Sequence, residues 1–158
     1  MSDAGLSTRF QQYASIFFFF VLAIGGLFFF GYNAFSLIRE LVEESQVIFF
    51  NKGSVYFFGG ALGLAVMTYW LVRNAVGSPM PESQNHIISY ILIGTLILMF
   101  VLPHIAHYMI DDYLENKGYQ ICEEASYQWM YYREIVFTAS QEVCAETVAE
   151  AERRKSHL

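Results

Sequence analysis

Residues 87–105 read IISYILIGTLILMFVLPHI, and no Asp, Glu, Lys or Arg occurs anywhere between Glu82 and Asp111. About 20 consecutive apolar residues are what a helix needs to cross the roughly 30 Å hydrocarbon layer of a bilayer. This run is the last of three. Ala14 to Ile38 gives 25 residues without a charge, including Phe17–Phe20 and Phe28–Phe30, and Ser54 to Val72 gives another such run. After residue 108 the chain changes character: ten acidic and five basic residues follow, together with the only two cysteines. The expected fold is therefore a membrane all-α bundle of three transmembrane helices (about 14–38, 54–72 and 87–105). To it is attached a small disulfide-linked α+β C-terminal extramembrane module, so that 1–107 forms one domain and 108–158 the other.

Composition supports that division. The 158 residues are 55% hydrophobic and 18% aromatic, above the 45–50% apolar usage of soluble domains. The net charge is −6, five charges of which belong to residues 108–158. An acidic face repels nucleic acid, which excludes that partner class and points, for any charged partner, to a basic one.

The first run resembles a signal peptide in having Arg9 ahead of an apolar core. It is long for such a segment, however, and Gly31-Tyr32-Asn33-Ala34 is a poor cleavage site, so an anchor is expected. Arg39 to Lys52 forms the first loop, with Val47 to Phe50 able to dip into the membrane interface as an apolar flap. In the second span Gly59 and Gly63 have GxxxG spacing, which lets helix backbones approach closely in lipid. Gly25, Gly26 and Gly31 of the first span are the expected opposing groove, a homodimer interface being the alternative use. Pro79 and Pro81 break the second loop, and Tyr69, Trp70 and Tyr90 suit an interfacial aromatic belt.

Three spans put the first loop and the C-terminal module on one side. The flanking cations, Arg9 and Arg73 against Arg39, Lys52 and Lys117, do not fix which side that is. In the module, Gly118 suits a helix C′ position. Tyr119–Cys122 and Met130–Thr138 read as strands joined by a turn at Glu123–Gln128. Ala139–Lys155 reads as a closing helix capped by Thr138 or Ser140. So small a unit usually needs a staple. Cys122 and Cys144 bracket the strand pair, and a disulfide there would place the module in an oxidising compartment; free structural thiols are the alternative.

His104, His107 and Asp111 fall at i, i+3 and i+7, a spacing able to offer a metal three ligands. No nucleophile elbow, phosphate loop, dinucleotide fingerprint or CxxC pair is present, and no acidic or basic residue lies inside the spans, so an enzyme is not expected and no cofactor is implied.

The segment GYQICEEASYQWMYYREIVFTASQEVC resembles that of a group of small bacterial inner-membrane proteins. They share a few hydrophobic helices, then Asp-Tyr-Leu, Gly-Tyr-x-x-Cys, an aromatic strand and a second cysteine. The matching residues here are Asp112, Tyr113, Leu114, Gly118, Tyr119, Cys122, Val136, Phe137 and Cys144. The resemblance implies a multi-pass inner-membrane protein with a cytoplasmic N-terminus and a periplasmic tail. Some proteins of this build look like immunity proteins against membrane-inserting, pore-forming toxins. The expectation is thus a protein that binds membrane lipid and another protein, with Asp111, Asp112, Glu123 and Glu124 as the partner surface. The alternatives are an accessory subunit of a secretion or envelope complex, and a metal-dependent membrane enzyme.

Overall fold

The computed structural model describes residues 3–77, 81–129 and 132–156. Pro79 and Met130, expected as a loop breaker and as the start of a strand, lie outside the described residues. In chain order the elements are α1 (Asp3–Val42), β1 (Val47–Asn51), α2 (Lys52–Ala75), α3 (Glu82–Asn116), β2 (Gln120–Ile121), β3 (Tyr127–Trp129), β4 (Tyr132–Thr138) and α4 (Gln141–Ser156). The helices α1, α2 and α3 are each long and apolar enough to cross a membrane. The chain separates into two compact units, Met1–Phe29 with Phe57–Val101, and Phe30–Tyr56 with Leu102–Leu158.

The first unit is helical, and α2 is gripped from two directions. Gly26 of α1 lies so close to Ala61 of α2 that an added Cβ would stand 3.0 Å from the Ala61 methyl. The rings of Phe29 and Phe57 meet edge to face at 5.3 Å beside it. Against α3, a Cβ at Gly59 would fall 2.5 Å from the Met99 Cα, and one at Gly63 would fall 3.1 Å from the Thr95 hydroxyl. The GxxxG pair therefore serves α2–α3 packing and not the expected groove on α1, where Gly25 has nothing within 4 Å. A helix shows its two small residues to one neighbour only, and here that neighbour is α3.

The second unit is built on β4. On one side β1 pairs with it antiparallel, Val47 opposite Thr138 through Asn51 opposite Glu134. On the other side β2 covers Phe137 and Thr138, and β3 covers the stretch from Tyr132 to Glu134. Four strands thus occupy three lanes. Between β2 and β3 the chain loops out, and hydrogen bonds hold the gap shut. The Cys122 amide donates to the Val136 carbonyl at 2.8 Å. The Val136 amide donates to Ser126 Oγ at 3.1 Å, and Ser126 Oγ donates to the Cys122 carbonyl at 2.8 Å. A side-chain oxygen thereby replaces the missing ladder acceptor, as a buried amide requires.

Alternation along the strands puts Ile48, Phe50, Ile135 and Phe137 on one face. They form the core with Val55 and Leu114, bordered by Leu37, Leu41, Leu102, Ala106 and Ile110. The strand β1 was not expected: Val47–Phe50 reads as an interfacial flap in sequence, because its partner lies some ninety residues further on. Gln120–Ile121 and Tyr132–Thr138 fall within the two expected strands, while β3 takes Tyr127 and Gln128 from what reads as turn. The expected 108–158 module is thereby joined by the first loop, which supplies one strand of its sheet.

The helices α1 and α3 each end with an amide bonded to the carbonyl five residues before it. At the end of α3 the Tyr119 amide bonds the Leu114 carbonyl (3.0 Å) and the Gly118 amide bonds the Glu115 carbonyl (2.9 Å). Gly118 has φ +88°. This is a Schellman cap with glycine at C′ and an apolar contact between Leu114 and Tyr119. At the end of α1 the Ser45 amide bonds the Glu40 carbonyl at 3.0 Å, and the left-handed position is taken by Glu44, φ +47°. A charged residue there bears a strain that Gly118 avoids.

Candidate functional site

The turn from α3 into the sheet borders an opening in the second unit. Once Gly118 reverses the chain, β2 runs back beside the last turns of α3. The space left, about 490 Å³, is lined by Asp111, Glu115, Gly118, Tyr119, Gln120, Ile121 and Phe137. Two carboxylates a helical turn apart stand on one wall, and an apolar strand edge forms the other. Such an arrangement can take a basic side chain and the apolar stem that carries it.

Of the four acidic residues expected to face a partner, only Asp111 lines this groove. Asp112 is exposed on the neighbouring face of α3, where its carbonyl accepts from the Asn116 side chain. Glu123 and Glu124 are exposed on the loop between β2 and β3. Glu115, Tyr119, Ile121 and Phe137 were not singled out as a partner surface. Their shared wall exists only because of the reversal at Gly118, a glycine signal that was legible without revealing what it brings together.

The groove rests on a stitched base. Lys117 Nζ bonds Glu44 at 3.2 Å, the Tyr119 hydroxyl donates to the Ser45 carbonyl at 2.8 Å, and the Ala139 amide donates to the Gln46 carbonyl at 2.9 Å. Three consecutive residues of the first loop are thus tied to the C-terminal segment. The edge of β1 is guarded by Glu40, whose carboxylate accepts from the Phe49 amide at 2.7 Å. Beneath the sheet's opposite face, burial pushes the Glu134 carboxyl above its usual range, and the Glu40 charge pushes it further the same way.

Cys122 and Cys144 form a disulfide, Cα–Cα 5.6 Å, which ties the loop after β2 to the first turn of α4. Of the two expected caps, Ser140 fills the role: its hydroxyl accepts from the Val143 amide at 3.3 Å. Thr138 is instead buried in β4.

The metal expectation fails on geometry. Among the described residues no three His, Cys, Asp or Glu side chains gather closely enough to hold an ion. The His107 ring lies parallel to Phe50, with centroids 6.2 Å apart, so packing against β1 takes the side chain that was to ligate with His104 and Asp111.

A second, smaller cleft of about 260 Å³ opens between residues of α1, the β1–α2 junction and α3, almost wholly apolar. Its polar feature is a pair of amides, Asn51 Nδ2 donating to Asn33 Oδ1 at 3.2 Å. Asn51 also caps α2, its Oδ1 accepting from the Ser54 amide at 3.1 Å, so the polar group is committed to structure.

No curated protein and no solved structure matches the chain. A family model does, over residues 47–145. It begins at the first residue of β1 and ends one residue past Cys144, so it takes in all four strands, α2, α3 and both cysteines. The protein belongs to the family described as "Protein of unknown function (DUF1240)".

Proposed function

We propose that this is an integral membrane protein that works by binding another protein, with the disulfide-closed sheet unit on the periplasmic side and the N-terminus in the cytoplasm. The sharpest version is an immunity protein that engages a membrane-inserting toxin. The observation that carries the reading is the groove bounded by Asp111 and Glu115 on one wall and Ile121 and Phe137 on the other. It suits a basic, amphipathic segment better than a small polar substrate. Pore-forming segments that must approach an anionic membrane are of that kind. The disulfide supports the oxidising side, and three apolar helices support membrane residence.

The test is survival. Cells expressing the chain are challenged with a panel of pore-forming toxins, and the chain is crosslinked to any toxin it protects against. Protection lost in an Asp111→Lys, Glu115→Lys variant that still reaches the membrane supports the reading. Protection that persists in the variant, or wild-type cells no more resistant than cells lacking the gene, overturns it. An envelope defect on deletion in the absence of toxin would instead indicate an accessory subunit.

A further inference from the structure

The apolar face of the sheet ends in two cations. Along β4 the residues sharing a face are Phe137, Ile135 and then Arg133. Along β1 they are Ile48 and Phe50, opposite Phe137 and Ile135, and the ladder ends at Asn51 opposite Glu134. One residue beyond that pair stand Lys52, where the chain turns into α2, and Arg133 of β4. Arg133 is within electrostatic reach of both Lys52 and His107, and His107 is stacked on Phe50 beside them.

Two like charges held near one another cost free energy that an anion between them would relieve. Here the chain supplies none: among the described residues no carboxylate comes within salt-bridge distance of Lys52 or Arg133, the ion pairs being Arg39–Glu43 and Lys117–Glu44. Asp111 acts on His107 one turn away, and Glu134 falls on the opposite face of β4. Lys52 is also the first residue of α2, so the positive end of a 24-residue helix adds to the same spot.

We infer that Lys52 and Arg133, at the N-terminus of α2, bind a phosphate group, with His107 closing the site. Its chemistry fits a phosphodiester: a guanidinium fork and an ammonium, both beside apolar surface. Lys52 immediately precedes a segment of membrane-spanning length and composition, where a bilayer presents its headgroup phosphates. A phospholipid headgroup is therefore the first source, and free phosphate is the second. The inference rests on the membrane-spanning reading and not on the protein partner, and it is tested with no partner present.

The experiment uses the full chain purified in a phosphate-free sugar detergent, with binding measured by native mass spectrometry. The probes are short-chain phosphatidylglycerol, the matching diglyceride without phosphate, and inorganic phosphate. Wild type should retain phosphatidylglycerol at least about tenfold better than diglyceride, and the Lys52→Gln, Arg133→Gln double variant should lose that preference. The charge-keeping pair Lys52→Arg, Arg133→Lys should preserve it. Competition by inorganic phosphate supports the shared chemistry, and inorganic phosphate binding as tightly as the lipid assigns the site to the free ion. Equal retention of phosphatidylglycerol and diglyceride by wild type overturns the proposal whatever the variants do. So does unchanged preference in a double variant with intact disulfide and normal melting.

Discussion

The two units of the molecule use the same side chains in opposite ways. Among the described residues of the helical unit only Ala23, Ala61 and Ile88 are buried apolar groups, while Phe28 is 75% exposed. In the sheet unit Ile48, Phe50, Leu114, Ile135 and Phe137 are sealed, Phe137 to 1%. Phe28 therefore points outward in one, while Phe50 and Phe137 make the core of the other. A helical unit set in a membrane, as proposed, would account for the difference. Water would drive the helical aromatics inward, whereas lipid is as apolar as they are and leaves small-residue packing to hold helices together. In the sheet unit, strand alternation can separate one face from the other and form a conventional core.

Removing a large side chain from each unit would break the comparison most forcefully. Phe137→Ala should cost about 3–5 kcal/mol in denaturant unfolding of the sheet unit, while Phe28→Ala in a lipid or detergent environment should change little. Comparable losses would mean that the helical unit buries its aromatics in an assembly larger than one chain. Next comes the staple. Cys122→Ser should lower stability by about 3 kcal/mol for a sequence separation of 22, and a reducing agent should bring wild type to the same melting point. The helical unit has no counterpart to this sensitivity.

Glycine substitution sharpens the contrast from the other side. Gly59→Val must displace the α3 backbone at Met99 and should cost about 1–3 kcal/mol by overpacking, whereas Gly25→Val meets open space. Thermal melting in one detergent compares the two, and equal effects would remove α2–α3 contact as the reason for the GxxxG pair. The smallest effect concerns pH. A carboxyl raised in the folded state, as at Glu134, contributes stability that is full below its unfolded pKa and is lost as pH rises through the folded value. Glu134→Gln should therefore melt higher than wild type at neutral pH, and the gap should close below about pH 4, where both states hold the proton.

How much of this could be read from the sequence follows from how local each cause is. Charge-free runs announce α1, α2 and α3 because each is decided by its own residues. Gly118 marks the end of α3, since a left-handed residue is a local demand. The strand β1 stayed hidden because VIFFN is five residues whose meaning depends on a partner beginning at Tyr132. Which helix Gly59 faces was equally illegible, since spacing fixes a stripe and not what lies against it. The candidate groove was half visible: Asp111 stood out by its charge, whereas Ile121 and Phe137 become a wall only when β2 pairs with β4.

The pairing of β1 with β4 also sets a timetable. One strand leaves the ribosome early, and two long helices must be made before the other follows, so closure of the sheet is among the last events of synthesis. Until then β1 has a bare edge of the sort that invites wrong partners. Glu40, bound to the Phe49 amide and close by in sequence, shields the other edge of β1, which β4 never covers.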